Sequence, residues 1–166
     1  GYINGAGRYY RGADFQTGAR FLSDNAGDFF VNLSIAYVDD ERRSDTPGDP
    51  YVTIMEQERR LRSRSYLSFS WTKNDWAAGV STSRIGSMNF QSPRWDGKPN
   101  TKIDPYYDIG AFVRYDIEDG HYIALSVSNL MDDIPKKNSD LGWPWFAQYY
   151  YSPVGRELFL TYRYTF

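Results

Sequence analysis

Arg60, Arg62 and Arg64 occupy every second position of one segment, so an extended backbone carries three guanidinium groups on a single face. Arg114 and Arg163 fall on the same parity of their own segments and extend this into a basic stripe. Such a stripe could guide an anionic substrate, or grip acidic groups of another segment by bidentate pairing. It could also be the wall of a polar cavity, balanced by Asp108, Asp116 and Glu157. A second concentration is aromatic: Trp143, Trp145, Phe146, Tyr149, Tyr150 and Tyr151 crowd one stretch. Rings at that density could stack on a sugar, a haem or a siderophore ring, or pack on one another.

Catalytic groups are scarce. His121 is the single histidine and cysteine is absent, which leaves a zinc site or a Ser-His-Asp triad without partners. No catalytic residue, metal or cofactor is therefore expected, and His121 reads as a residue beside a turn. The carboxylates Asp39-Asp40-Glu41 and Asp132-Asp133 fall in expected loops, where they are solvated or hold calcium. Gly5-Ala6-Gly7 has no following helix to make a phosphate cradle. A net charge of -2 and a pI near 5.4 give no general basic footprint for nucleic acid.

The elements that position these groups follow from a period of two. Leu158, Leu160, Tyr162, Tyr164 and Phe166 alternate with Glu157, Thr161, Arg163 and Thr165, a strand apolar on one side and polar on the other. Six more stretches behave alike. They run Ala13 to Phe21, Phe29 to Tyr37, Arg60 to Thr72, Trp76 to Phe90, Tyr107 to Ile117 and Ile123 to Val127. Connections alternate between short (Ser23 to Gly27, Lys73 to Asp75, Glu118 to Gly120) and long (Asp39 to Met55, Gln91 to Ile103, Met131 to Val154).

Apolar-out, polar-in strands with turns at one rim and loops at the other are the plan of an outer-membrane β-barrel. The mean hydropathy of -0.63 is compatible, because only alternate residues of a barrel face lipid. No segment approaches the roughly 20 apolar residues of a membrane-crossing helix. Fifteen Tyr, ten Phe and five Trp suit aromatic girdles, with Trp71, Trp76, Tyr115 and Phe166 at the turn-side interface. The fold expected is thus all-β, an antiparallel transmembrane barrel in a Gram-negative outer membrane. Arg84 falls on the lipid-facing parity near the loop side, where it could meet lipopolysaccharide phosphate.

Seven strands do not close a bacterial barrel, which has an even number from about eight upward. The glycine-rich segment Gly1 to Tyr10 alternates poorly and reads as the tail of an outer loop. An open edge in lipid would leave backbone groups unpaired at several kcal/mol each, so further strands are expected from elsewhere.

Residues 128–166 carry a resemblance. Asn129-Leu130-Met131-Asp132, a long aromatic loop, then Pro153-Val154-Gly155-Arg156 opening a strand that ends in Tyr162, Tyr164 and Phe166 resembles the C-terminal end of a TonB-dependent receptor. The usual family form of the first motif is closer to Asn-Leu-Phe-Asp, from which Met131 departs. The resemblance implies a barrel of about 22 strands with a plugged lumen. Residues 1–166 would be its C-terminal third, lacking the plug and the TonB-engaging motif. It further implies active import of a substrate bound by the outer loops. The implied partners are the remaining strands and plug, the TonB system, membrane lipid and lipopolysaccharide, and a surface lipoprotein over the loops. The alternatives on the residues alone are a free-standing small outer-membrane barrel, an adhesin, structural protein or lipid-modifying enzyme, and, third, a soluble carbohydrate-binding sandwich.

Overall fold

The computed structural model describes residues 7–55, 60–90, 101–118, 120–135, 137, 145–146 and 150–165. These form β1 (Gly7–Phe21), β2 (Asp28–Ser44), β3 (Val52–Thr53), β4 (Ser63–Lys73), β5 (Trp76–Ile85), β6 (Met88–Phe90), β7 (Thr101–Ile103), β8 (Tyr106–Glu118), β9 (His121–Ser128) and β10 (Glu157–Arg163). Among the described residues there is no helix. The seven long strands make one antiparallel meander in the order β1-β2-β4-β5-β8-β9-β10, with β3 pairing β2 and a separate β6-β7 hairpin.

Register does the sorting. Directly opposed residues in neighbouring strands point to the same face, and the partners run Phe21↔Phe29↔Trp71↔Ala78↔Val113↔Leu125↔Leu160. A second row runs Ala19↔Val31↔Phe69↔Val80↔Ala111↔Val127↔Leu158. The polar rows are equally continuous, as in Gly18↔Asn32↔Ser68↔Ser81↔Gly110. A slip of one residue anywhere would break every row beyond it. The sheet therefore has one apolar face and one mostly polar face across its whole width.

The apolar face is bare. Leu158 and Leu160 stay 69% and 73% exposed, and Phe15, Phe69, Val80, Trp76 and Leu125 are exposed as well. Buried apolar side chains among the described residues are Ile54, Met55, Met88 and Tyr151, all beyond the ends of the long strands. The ends are unlike each other: short turns lie at one, at 22–27, at 74–75 and between β8 and β9, and all three long connections start and finish at the other. At the turn end Trp76 packs on Tyr115 with ring centroids 4.8 Å apart, and Trp71 Nε1 donates to the Ala26 carbonyl at 2.7 Å.

Several boundaries differ from the pattern reading. β1 begins at Gly7, inside the segment expected to be a loop tail, because β2 runs on to Ser44 and offers it partners up to Gly7↔Ser44. β4 begins at Ser63, so Arg60 and Arg62 precede the strand. Val38 N still donates to the Arg62 carbonyl at 2.8 Å, but beyond it the same edge of β2 is taken by β3 through Arg42↔Thr53 and Arg43↔Val52. β5 stops at Ile85 and Met88–Phe90 turns away to pair with Thr101–Ile103. The break falls at Gly86, whose N–H closes on the Ser63 carbonyl at 2.8 Å. β10 ends at Arg163, and Phe166 lies outside the described residues. The sheet is not closed into a barrel: among the described residues the outer edges of β1 and β10 have no strand partner.

Candidate functional site

A β-bulge builds the most charged corner of the molecule. Gly12 pairs with Val38 and Arg11 with Asp40, so Asp39 is an extra residue in β2 and the parity of that strand shifts beyond it. Gly12 allows the close approach, since a Cβ there would lie 2.6 Å from the Tyr37 carbonyl oxygen. The shift places Glu41 opposite Tyr10, on the polar face. Glu41 is buried there, accepts from Arg8 Nε at 2.6 Å, and has Arg60 Nη1 at 3.6 Å.

The acidic run Asp39-Asp40-Glu41 is thus neither a solvated loop nor a cation site. It lies in β2 with each carboxylate ion-paired to arginine: Asp39 with Arg11, Asp40 with Arg42 at 2.7 Å, Glu41 with Arg8 and Arg60. Every carboxylate has an arginine within reach, which leaves little negative charge for a metal. Among the described residues no group of three or more His, Cys, Asp or Glu could hold a metal ion.

Around Glu41 the polar face hollows into a concavity of about 310 Å³ lined by Arg8, Arg60, Arg62 and Arg64, with Tyr10 and Tyr150 at its sides. Arg64 stands opposite Ala36 in β4 and holds its Cζ 5.6 Å from the centroid of the Tyr150 ring. Tyr150 comes from the connection between β9 and β10. Its described residues lie over the polar face, where Tyr151 is buried beside Met88 and stacks edge-on with Tyr106 at 5.2 Å. Phe146 and Tyr150 pack on the same cluster with Leu61, Ile85 and Ile103. From β9 to β4 is three strand spacings, about 14 Å, so the described residues Phe146, Tyr150 and Tyr151 form a strap across the loop end of the sheet.

The expected basic stripe divides in two. Arg60, Arg62 and Arg64 meet at the concavity. Arg114 opposes Ala77 at the turn end of β5, eight residues or about 27 Å along the strand from Ile85, which opposes Arg64. It pairs with Asp116 at 2.9 Å and lies over the Tyr122 ring at 4.7 Å, and Arg163 opposes Tyr122 in the same region. Of the aromatic loop, Phe146 and Tyr150 join the cluster, Trp145 is exposed, and Trp143 and Tyr149 lie outside the described residues. Arg8 and Tyr10 escaped the pattern reading, and Glu41 was placed in a loop rather than in β2 opposite Tyr10. The alternation of Arg8 with Tyr10 was the available signal, masked by the glycines around it.

Arg84 stands on the apolar face at the loop end, as its parity implied. It opposes Ser65 and Tyr107, and donates to Tyr107 Oη at 3.2 Å and Ser63 Oγ at 3.1 Å. His121 contacts Tyr162 Oη at 3.2 Å and the Tyr164 ring at 4.2 Å, an aromatic cluster beside the last turn.

The motif at Asn129 works as a staple between β9 and β10. Asn129 is buried, with φ +47, and its Nδ2 donates to the carbonyls of Asp133 at 2.8 Å and Val154 at 3.3 Å. Its Oδ1 accepts from Asp133 N at 2.9 Å, while Asp132 Oδ1 accepts from Arg156 N at 2.8 Å. Gly155 is needed for this closure, because a Cβ there would lie 2.6 Å from Asp132 Oδ1. The two ends of the long connection are thereby fixed where β10 begins.

The geometry defines an all-β protein with a two-faced antiparallel sheet, and an arginine-rich hollow at one end of its polar face. No family model matches the chain, and no curated protein matches it.

Proposed function

We infer that the chain is the C-terminal part of the barrel wall of an outer-membrane active transporter of the TonB-dependent receptor kind. The observation that carries the membrane part of this reading is the continuous, bare apolar face across seven strands. Soluble monomers seldom expose apolar patches beyond a few hundred Å². Hydrocarbon is the solvent such a face suits, and strands of 10 to 17 residues in β1, β2, β4, β5 and β8 are long enough to cross it.

The transporter part rests on the Asn129-to-Arg156 staple and on the open sheet. Two unpaired edges in lipid favour a wall completed by further strands over a small barrel closed from these residues alone. In this reading those strands and a plug fill out the receptor, TonB acts through the plug side, and the long connections face outside with any surface lipoprotein. The chain's own contribution is wall, loops and register, with no catalytic step.

The test is the intact mass of the polypeptide purified from outer membranes with these residues in it. A mass well above 19.3 kDa, or a companion fragment holding the other strands, is expected. A sealed barrel of 19.3 kDa alone would overturn the transporter assignment.

A further inference from the structure

We propose that the hollow between Arg8, Arg64 and Tyr150 binds a small planar ligand carrying two anionic groups, carboxylate or phosphate. The inference rests on the transporter reading only in taking the loop end as the side open to the outside.

Charge is the first argument. Among the described residues four guanidinium groups line the hollow against one carboxylate, Glu41, which Arg8 and Arg60 share. Arg62 and Arg64 have no carboxylate partner among the described residues, although ion pairs occupy Arg8, Arg11, Arg20, Arg42, Arg43, Arg60 and Arg114. Two arginines that line one hollow without a carboxylate among the described residues are available for an external anion. A guanidinium presents a planar fork that fits a carboxylate or phosphate with two parallel bonds.

Spacing bears on the number of groups. Backbone positions two apart lie about 7 Å from each other, and arginine side chains are long enough to converge on one anion or to hold two. The like charges of Arg62 and Arg64 favour the second arrangement, two anionic groups kept apart by a spacer. The ring of Tyr150, held against Arg64 by the strap, gives that spacer a flat apolar surface and so favours a planar one.

Direct titration of the detergent-solubilised protein, isolated with all strands it carries in the outer membrane, tests this. The probes are benzene-1,4-dicarboxylate, its saturated counterpart cyclohexane-1,4-dicarboxylate, and the neutral benzene-1,4-dicarboxamide. Both acids bind and the diamide does not. Arg62→Ala and Arg64→Ala each weaken the acids about tenfold, the scale of one charge-assisted bond. Tyr150→Leu weakens the aromatic acid and spares the saturated one. Arg114→Ala, at the far end of the same face, changes nothing and serves as the folding control.

Binding of the diamide equal to that of the acid overturns the proposal, as does acid binding that survives both arginine variants. Absence of binding overturns it too, including where an acidic segment of the same polypeptide already fills the hollow. Lipid accessibility of the apolar face, measured on the same preparation, keeps the two readings apart: an inserted protein that ignores the acids sinks only this inference. A binding protein that never enters a bilayer sinks only the transporter reading.

Discussion

Replacing Asn129 by alanine removes the side chain that ties the start of the β9–β10 connection to its end. Three bonds go: Nδ2 to the Asp133 and Val154 carbonyls and Asp133 N to Oδ1. A net worth of about 1 kcal/mol each gives about 3 kcal/mol. Alanine at φ +47 adds about 1 kcal/mol, because its Cβ is crowded in the left-handed region where asparagine is tolerated. The loss falls locally, since β10 pairs only with β9 among the described residues and begins two residues after Gly155. Hydrogen exchange at the amides of Glu157 to Leu160 reads it directly: about 4 kcal/mol in all corresponds to exchange faster by nearly a thousandfold. Exchange in β2 and β4, remote from the staple, stays as it was. Asn129→Asp keeps the acceptor oxygen and the tolerance of positive φ but loses both donated bonds, so its effect falls between. Unchanged protection of β10 in Asn129→Ala would refute the staple.

Tyr151 gives a pH prediction. Burial, and to a lesser degree the neighbouring Tyr150, push its phenol above the ordinary value of 10.0, so the fold favours the neutral form. That contribution is fully present below pH 10 and is lost as pH rises through the folded value; the strap should loosen under alkali, seen as rising exposure of Trp145 to an aqueous quencher. Tyr151 Oη is buried without a hydrogen-bond partner among the described residues, so Tyr151→Phe should diminish the alkaline step and leave stability at neutral pH equal or higher by about 1 kcal/mol; a clear loss would contradict this. Arg84→Ala removes a cation from the loop-side margin of the apolar face, and the variant purified from outer membranes should carry less tightly bound lipopolysaccharide by phosphate analysis. Full retention would remove that role.

The seven long strands were legible because alternation of side chains is a local signal and their partners agree with it. Phe29, Val31, Leu33, Ile35 and Tyr37 announce β2 unaided, and each finds an opposed residue in both β1 and β4. Gly79 weakened the reading of β5 but does not interrupt it, since Phe112 of β8 lies over the missing side chain. The charged corner was hidden for a different reason. The bulge at Asp39 is visible only in register with β1, and before that shift Glu41 shares the parity of the apolar residues. The division of the arginines was equally beyond a single strand's pattern, which fixes the face of Arg64 and Arg114 but not their separation along it. The inward course of the aromatic connection depends on tertiary contacts of Tyr151 and Phe146 with Met88, Ile85 and Tyr106, for which no spacing in the sequence provides a sign.

The most direct test uses the absence of cysteine from residues 1–166, so that single cysteines can be introduced along β2 and spin-labelled, any cysteine elsewhere in the polypeptide being replaced by serine. In bilayers, labels at Phe29, Val31, Leu33 and Ile35 should collide freely with lipid-soluble oxygen and be shielded from a water-soluble nickel complex. Labels at Phe30, Asn32 and Ser34 should show the opposite preference, with a period of two. Odd positions found immobile and closed to both reagents would place that face against protein in a dry interior, and the membrane reading would be wrong.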